Sequence, residues 1–163
     1  MRPQGLMEFV AETLGKAPEV QRAEVWQEGT IRPFGVQVTF VTGSEMWLGV
    51  MAQAAPGESY DQPEKSVTDA PPAEVAVPEL LQGGKVTPAS AEAYIAAVLN
   101  NSGCPEIKRT YAYSEGATPT RPTAHPGVGI EFHSKGRGFL PFIHTARPGQ
   151  GKGNRAFDLQ DAF

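Results

Sequence analysis

Apolar residues recur at helical spacing in two segments of the chain. In "PQGLMEFVAETLG" (3–15) the stripe ends at Gly15, a residue that commonly terminates helices. In "TPASAEAYIAAVLNNSG" (87–103) a second stripe follows Thr87 and a proline at the first helical position. The spacing predicts one helix in each segment, with core positions at Leu6, Phe9, Val10, Thr13 and Leu14 in the first and Tyr94, Ile95, Val98 and Leu99 in the second.

Three strands are predicted after each helix. The first spans 22–28 and 108–114, and the second alternates apolar and polar residues over 36–40 and 128–132, which predicts one buried face. The third, 46–53 and 139–145, is apolar on both faces, so we expect it to be covered on both sides where the two halves meet. Pro141 removes a backbone donor from this strand, which requires either a bulge or a face-to-face junction.

The two halves also share residues in the same order. "PEVQRAEVWQEG" (18–29) resembles "PEIKRTYAYSEG" (105–116), and residues 35–57 align with 127–149 without a gap. Upstream, "FVAETL" (9–14) lies over "YIAAVL" (94–99), and these three collinear blocks indicate an internal duplication. The predicted fold class is therefore α+β: a duplicated helix–strand–strand–strand unit whose two antiparallel three-stranded meanders form one pseudo-twofold domain.

Composition changes along the chain suggest four segments. We assign the first unit to 1–57, a polar, proline-rich and mobile connector to 58–86, the second unit to 87–149, and a glycine-rich tail with a short apolar terminus to 150–163. The apolar residues of the tail, Phe157, Leu159 and Phe163, are expected to pack on the body or on another chain.

Charge divides unequally between the halves, although the whole chain has a net charge of −4. Residues 1–82 carry 5 Lys/Arg and 12 Asp/Glu, whereas residues 83–163 carry 9 and 6. This division indicates either that a polyanion would be met by the second half or that the two halves attract each other. The single cysteine, the lack of a signal-peptide pattern and the lack of a long apolar run predict a cytoplasmic protein with no membrane association.

Residues able to support catalysis are sparse. All three histidines fall in the second unit, where Glu131 shares a strand face with His133, so a His–Glu–His metal site with His144 is conceivable. Their spacing matches no metal motif, and Cys104 has no histidine beside it to act as a base. The sequence predicts no catalytic residue, no bound metal and no cofactor.

Aromatic and cationic residues interleave in the second unit and continue into the tail. The predicted contact residues are Arg109, Tyr111, Tyr113, Glu131, His133, Lys135, Arg137, His144, Arg147 and Lys152. We favour a small non-catalytic binding or accessory protein that contacts another macromolecule, most simply a protein, through these residues. A homo-oligomer is also compatible with the pattern.

Two alternatives remain open at this level. A small-ligand protein or enzyme would use a cleft between the units, with His133, Glu131, His144, Tyr111 and Arg109 as candidates. A single-stranded nucleic acid would stack on the aromatic residues of the basic second unit, but the acidic chain, with a pI near 5.4, argues against it.

Overall fold

The computed structural model describes residues 1–121 and 125–163 and shows an α+β protein with an antiparallel sheet. Both predicted helices are present. The elements are α1 (Pro3–Gly15), β1 (Val20–Glu28), β2 (Arg32–Phe40), β3 (Glu45–Gly49), β4 (Met51–Gln53), β5 (Leu81–Gln82), β6 (Lys85–Val86), α2 (Pro88–Asn100), β7 (Ile107–Ala112), β8 (Gly127–Phe132) and β9 (Arg137–Ala146).

Helix α2 begins at a reciprocal cap. The Ser90 N–H donates to the Thr87 hydroxyl at 3.1 Å, and the Thr87 N–H donates to the Ser90 hydroxyl at 3.0 Å. These bonds satisfy two backbone donors that a helix start leaves without partners, and Pro88 removes a third. Local chemistry therefore fixes the start of α2 at the residue that the sequence indicates.

The strands form one continuous sheet in the order β1–β2–β3–β9–β8–β7, with β4 also paired to β9. The third strands of the two halves are neighbours, since Trp47 on β3 pairs with His144 on β9. The halves thus join edge to edge, through the strands that the apolar pattern predicted at the junction.

Pro141 lies where β9 changes partners. From Phe142 onward β9 pairs with β3, and from Phe139 back to Arg137 it pairs with β4. A register shift also occurs between Trp47 and Leu48 of β3. The missing N–H of Pro141 therefore falls between the β3 and β4 pairings of β9. The predicted bulge is present at the register shift between Trp47 and Leu48.

Both helices cover the same face of the sheet, which we call the inner face. The core forms one cluster between this face and the helices, and it includes Leu6, Val10 and Leu14 of α1, Ile95 and Leu99 of α2, Val36, Val38 and Phe40 of β2, and Val128, Ile130 and Phe132 of β8. The opposite face, which we call the outer face, is covered by neither α1 nor α2. Within the described residues, neither helix is long and apolar enough to cross a membrane.

The tail packs on the body, which is one of the two alternatives predicted from the sequence. Phe163 is only 2 % exposed, and its backbone exchanges two 2.8 Å hydrogen bonds with Val86. Leu159 packs at the edge of the core, and the Phe157 N–H donates to the Ile143 carbonyl. The tail therefore passes the outer face near Ile143 and ends in the core.

Candidate functional site

Two side chains of β7 and that of Tyr113, directly after the strand, project onto the outer face. The Thr110 hydroxyl donates to the Ala96 carbonyl of α2 at 2.6 Å, so Thr110 faces the helices. Because side chains alternate along a strand, Arg109, Tyr111 and Tyr113 point the other way. The register shift between Ile107 and Arg109 lets Ile107 remain in the core while Arg109 faces outward.

A row of apolar side chains crosses the outer face of the second half. Tyr111 on β7 pairs with Gly129 on β8, Gly129 with Phe139 on β9, and Phe139 with Met51 on β4. Tyr111 and Phe139 are half-buried, and Met51 is 54 % exposed. At about 4.8 Å between strands, the row extends for roughly 15 Å. We call Tyr111, Phe139 and Met51 the apolar row.

A row of charged residues runs beside the apolar row. Arg109 pairs with Glu131, and Glu131 pairs with Arg137, so one acidic residue lies between two basic residues on adjacent strands. The Arg109 guanidinium also lies 5.0 Å from the centroid of the Tyr111 ring and 3.6 Å from a carboxylate oxygen of Glu115. Positively and negatively charged residues therefore alternate along this row.

Two tyrosine rings in this region lie directly on glycines. A Cβ atom on Gly129 would fall 2.1 Å from Cζ of Tyr111, and one on Gly127 would fall 2.4 Å from Cε2 of Tyr113. The two rings are 6.4 Å apart. Burial raises the pKa of Tyr113 well above its ordinary value, with a smaller contribution from neighbouring Tyr111, so Tyr113 is a neutral phenol at physiological pH.

The predicted contact residue Lys152 belongs to a second cluster, on the outer face of the first half. Its Nζ atom lies 3.3 Å from an oxygen of Glu28 and 5.9 Å from the centroid of the Trp26 ring. Arg32 binds the other Glu28 oxygen at 2.5 Å. Hydrogen bonding to Arg32, with a further contribution from Lys152, holds the pKa of Glu28 below its usual range.

His144 is not on the surface, contrary to its assignment as a contact residue. It is 3 % exposed, and the Trp26 and Trp47 rings meet it edge-on with centroids 6.3 Å and 6.2 Å away. Burial, followed by the charge of Lys152, lowers the pKa of His144. A neutral imidazole packed among indole rings cannot meet a partner unless the tail over it moves.

The remaining predicted contacts lie at turns. Lys135 is exposed in the β8–β9 turn, and the half-buried His133 beside it hydrogen-bonds through Nε2 to the Ala70 carbonyl at 3.1 Å. Arg147 is exposed just after β9, and its N–H donates to Gln150.

The structure separates the histidines of the conceivable metal site. From Arg137 to His144, β9 takes seven steps (144 − 137), which at about 3.3 Å each span roughly 23 Å. His133 lies before that stretch, in the turn. Within 1–121 and 125–163, no three His, Cys, Asp or Glu side chains are close enough together to hold a metal ion.

A cavity of about 530 Å³ does lie between the two helices, on the inner side of the molecule. Thr13 of α1 and Lys16, directly after α1, line it together with Tyr94 and Val98 of α2. None of the five candidates for a catalytic cleft, His133, Glu131, His144, Tyr111 and Arg109, is among its lining residues. The cleft between the halves and those titratable residues are therefore separate features.

The sequence pattern did not single out Met51 and Trp26 as surface residues. Met51 joins the apolar row because β4 pairs with β9, a contact between residues almost ninety positions apart. Trp26 joins Lys152 because the tail returns to β1. The matching positions of Trp26 and Tyr113 in the repeated phrase were the one available signal for Trp26.

Comparison with known proteins identified no relative of this chain. The chain matches no model of a known protein family, and neither the curated proteins nor the solved structures show a significant similarity to it.

Proposed function

We propose that this chain is a non-catalytic binding protein that contacts another protein through the outer face of its sheet, mainly in the second half and beside the tail. The apolar row carries the proposal: Tyr111, Phe139 and Met51 lie side by side on a sheet face that neither α1 nor α2 covers. Tyrosine, phenylalanine, methionine and arginine are the residue types enriched in the cores of protein interfaces.

The row of charged residues beside the apolar row favours a protein partner over a nucleic acid. A polyanion needs uncompensated cations, but Glu131 and Glu115 flank Arg109, and Glu28 binds both Arg32 and Lys152. Alternating charges instead suit a partner surface that alternates in the opposite order. The cytoplasmic location expected from the sequence belongs to the same proposal.

We also propose that the chain is an internal duplication with approximate twofold symmetry, and the strand registers support this. Val36 pairs with Leu48, and the residues 92 positions later, Val128 and Leu140, pair with each other. Both first strands have a register shift at the same place, between Val20 and Arg22 and between Ile107 and Arg109.

The contacts between aromatic rings and glycines also support an internal duplication. A Cβ on Gly35 would approach the Trp26 ring at 2.6 Å and the Leu48 carbonyl oxygen at 2.8 Å. A Cβ on Gly127 would approach the Tyr113 ring and the Leu140 carbonyl oxygen, the latter also at 2.8 Å. An aromatic ring in the same setting in both halves is expected if the two units descend from one.

Site-specific photocrosslinking tests the proposed face. A benzophenone amino acid placed at Met51 should give a crosslinked protein product in native lysate, and the Tyr111→Ala substitution should weaken that product several-fold. Val25 is the matched control position, because it is 55 % exposed against 54 % for Met51 and its strand partner Val36 faces the core.

Three outcomes would count against the proposal. Equal labelling from Met51 and Val25 would mean that contact is non-specific, and a product lost on nuclease treatment would indicate a nucleic acid. A product consisting only of a second copy of the chain would replace the separate partner with a homo-oligomer.

A further inference from the structure

The connector is held along the inner side of the molecule by contacts to its backbone. The residues 69–79, which we call the strap, have no helix or strand. At its start, the Asp69 N–H donates to the Pro105 carbonyl at 2.9 Å, and the Ala70 carbonyl accepts from His133. The mobile connector expected from composition is thus tied to the body at defined points.

Two asparagines at the end of α2 hold the middle of the strap. The Val75 N–H donates to Oδ1 of Asn101 at 2.9 Å, and the Val75 carbonyl accepts from Nδ2 of the same side chain at 2.7 Å. Asn100, which is buried, donates from Nδ2 to the Ala73 carbonyl at 2.8 Å. A primary amide that bonds to both the N–H and the carbonyl of one residue recognises an extended main chain. Such recognition does not depend on the side chain of the bound residue.

The side chains of the strap contribute little to its own binding. Every residue from Asp69 to Glu79 is exposed except Pro72, which is half-buried, and Val75 and Val77 remain 50 % and 47 % exposed. Apolar side chains that stay in water supply little of the burial free energy that usually holds a segment in place. Polar contacts to the strap backbone therefore dominate its attachment.

Unfilled space flanks the strap on both sides. Val77 and Pro78 line the 530 Å³ cavity between the helices. Val75 and Ala76 line a second cavity of about 280 Å³ beside Ala96 and Thr110. The groove accepts a main chain in the observed path and has room for larger side chains than the strap provides.

We propose that the strap occupies a binding groove for an extended, proline-containing peptide segment of another protein, which displaces the strap by filling these cavities with larger apolar side chains. A tethered segment competes at an effective concentration on the order of millimolar, so an incoming peptide needs additional contacts. A second copy of the chain would bring the same short side chains and would leave the cavities empty, which is why we assign the groove to a different partner. This groove lies on the helical side, and its smaller cavity reaches the edge of the outer face at Tyr111 and Glu115.

Fluorescence anisotropy with two labelled peptides on the full chain tests the proposal. The first probe is the strap sequence TDAPPAEVAVPE (68–79), and the second carries Val77→Phe within it. We expect the second to bind the full chain about tenfold more tightly, because the added ring enters the larger cavity. The Asn101→Asp substitution in the protein removes the amide donor from the tethered strap and from the peptide alike, so it should change the apparent affinity much less than a change in the peptide alone.

Changes to the peptide serve as controls that cannot affect folding of the protein. N-methylation at Val75 removes the N–H that Asn101 accepts, so it should weaken the Val77→Phe peptide about tenfold. N-methylation at Ala76 should have little effect, since within the described residues its N–H makes no hydrogen bond. NMR titration should shift the side-chain amide signals of Asn100 and Asn101 but not that of Gln160, which lies by Thr145.

Two results would overturn the proposed groove, and a third would change the identity of its occupant. No saturable binding of the Val77→Phe peptide at millimolar concentration, or equal effects of the two N-methylations, would overturn the groove. If the wild-type chain forms a dimer that Asn101→Asp dissociates, the occupant is a second copy and our assignment of the partner is wrong.

Discussion

At the scale of single residues, two neighbouring glycines on β8 should respond differently to a methyl group. The three atoms nearest to a Cβ on Gly129 all belong to the Tyr111 side chain, which can rotate into solvent, whereas a Cβ on Gly127 also meets the Leu140 carbonyl oxygen at 2.8 Å. We therefore expect Gly127→Ala to lower the free energy of unfolding by about 2 kcal/mol and Gly129→Ala by less than about 1 kcal/mol. Urea denaturation of both variants measures the difference, and equal losses would contradict the contact geometry.

His144 should make stability depend on pH. Its folded-state pKa is lowered by burial, so the unfolded chain binds the proton more readily. The free energy of unfolding should then be constant above the unfolded pKa, near 6.5, and should decrease as the pH falls below it.

Denaturation between pH 7.5 and 5 tests this dependence. His144→Phe should flatten the decrease, while His133→Gln, at a half-buried turn residue, should leave it in place. A wild-type curve that is level across this range, or one that His144→Phe leaves unchanged, would refute the assignment.

At the scale of elements, much of the structure could be predicted because its signals are local. The apolar stripes, Thr87 and Pro88 predict both helices, and alternation at Val36, Val38 and Phe40 predicts a strand with one buried face. The break between β3 and β4 and the path of the strap could not be predicted in this way. They depend on carbonyl groups and partner strands that are distant in sequence.

The return of the tail is an element-level contact that mutation can test. Phe163 lies 6.4 Å from Phe40, ring centre to ring centre, inside the core. Phe163→Ala should lower the free energy of unfolding by about 3 kcal/mol. Phe157, which is 50 % exposed, is the matched control, and its replacement by alanine should cost less than about 1 kcal/mol. Equal effects in urea denaturation would show that the tail does not contribute to the core.

At the scale of the whole molecule, the sequence indicated which strands meet but not which surface is free. Five predicted contact residues, Arg109, Tyr111, Tyr113, Glu131 and Arg137, do lie together on the outer face, because they alternate with core residues on paired strands. His144 follows the same alternation and is nevertheless covered. Its burial depends on the tail, and composition alone did not indicate where that glycine-rich segment would pack.

The pairing of β3 with β9 has a consequence for how the chain reaches this structure. Each half can form its own hairpins from neighbouring segments, but Leu48 must find Phe142, 94 positions away (142 − 48). Bringing the ends of so long a loop together costs chain entropy before any contact compensates for it, and distant pairings of this kind slow folding. Until that step is complete, each half exposes one bare strand of mostly apolar residues, and during this interval the protein is most prone to aggregate.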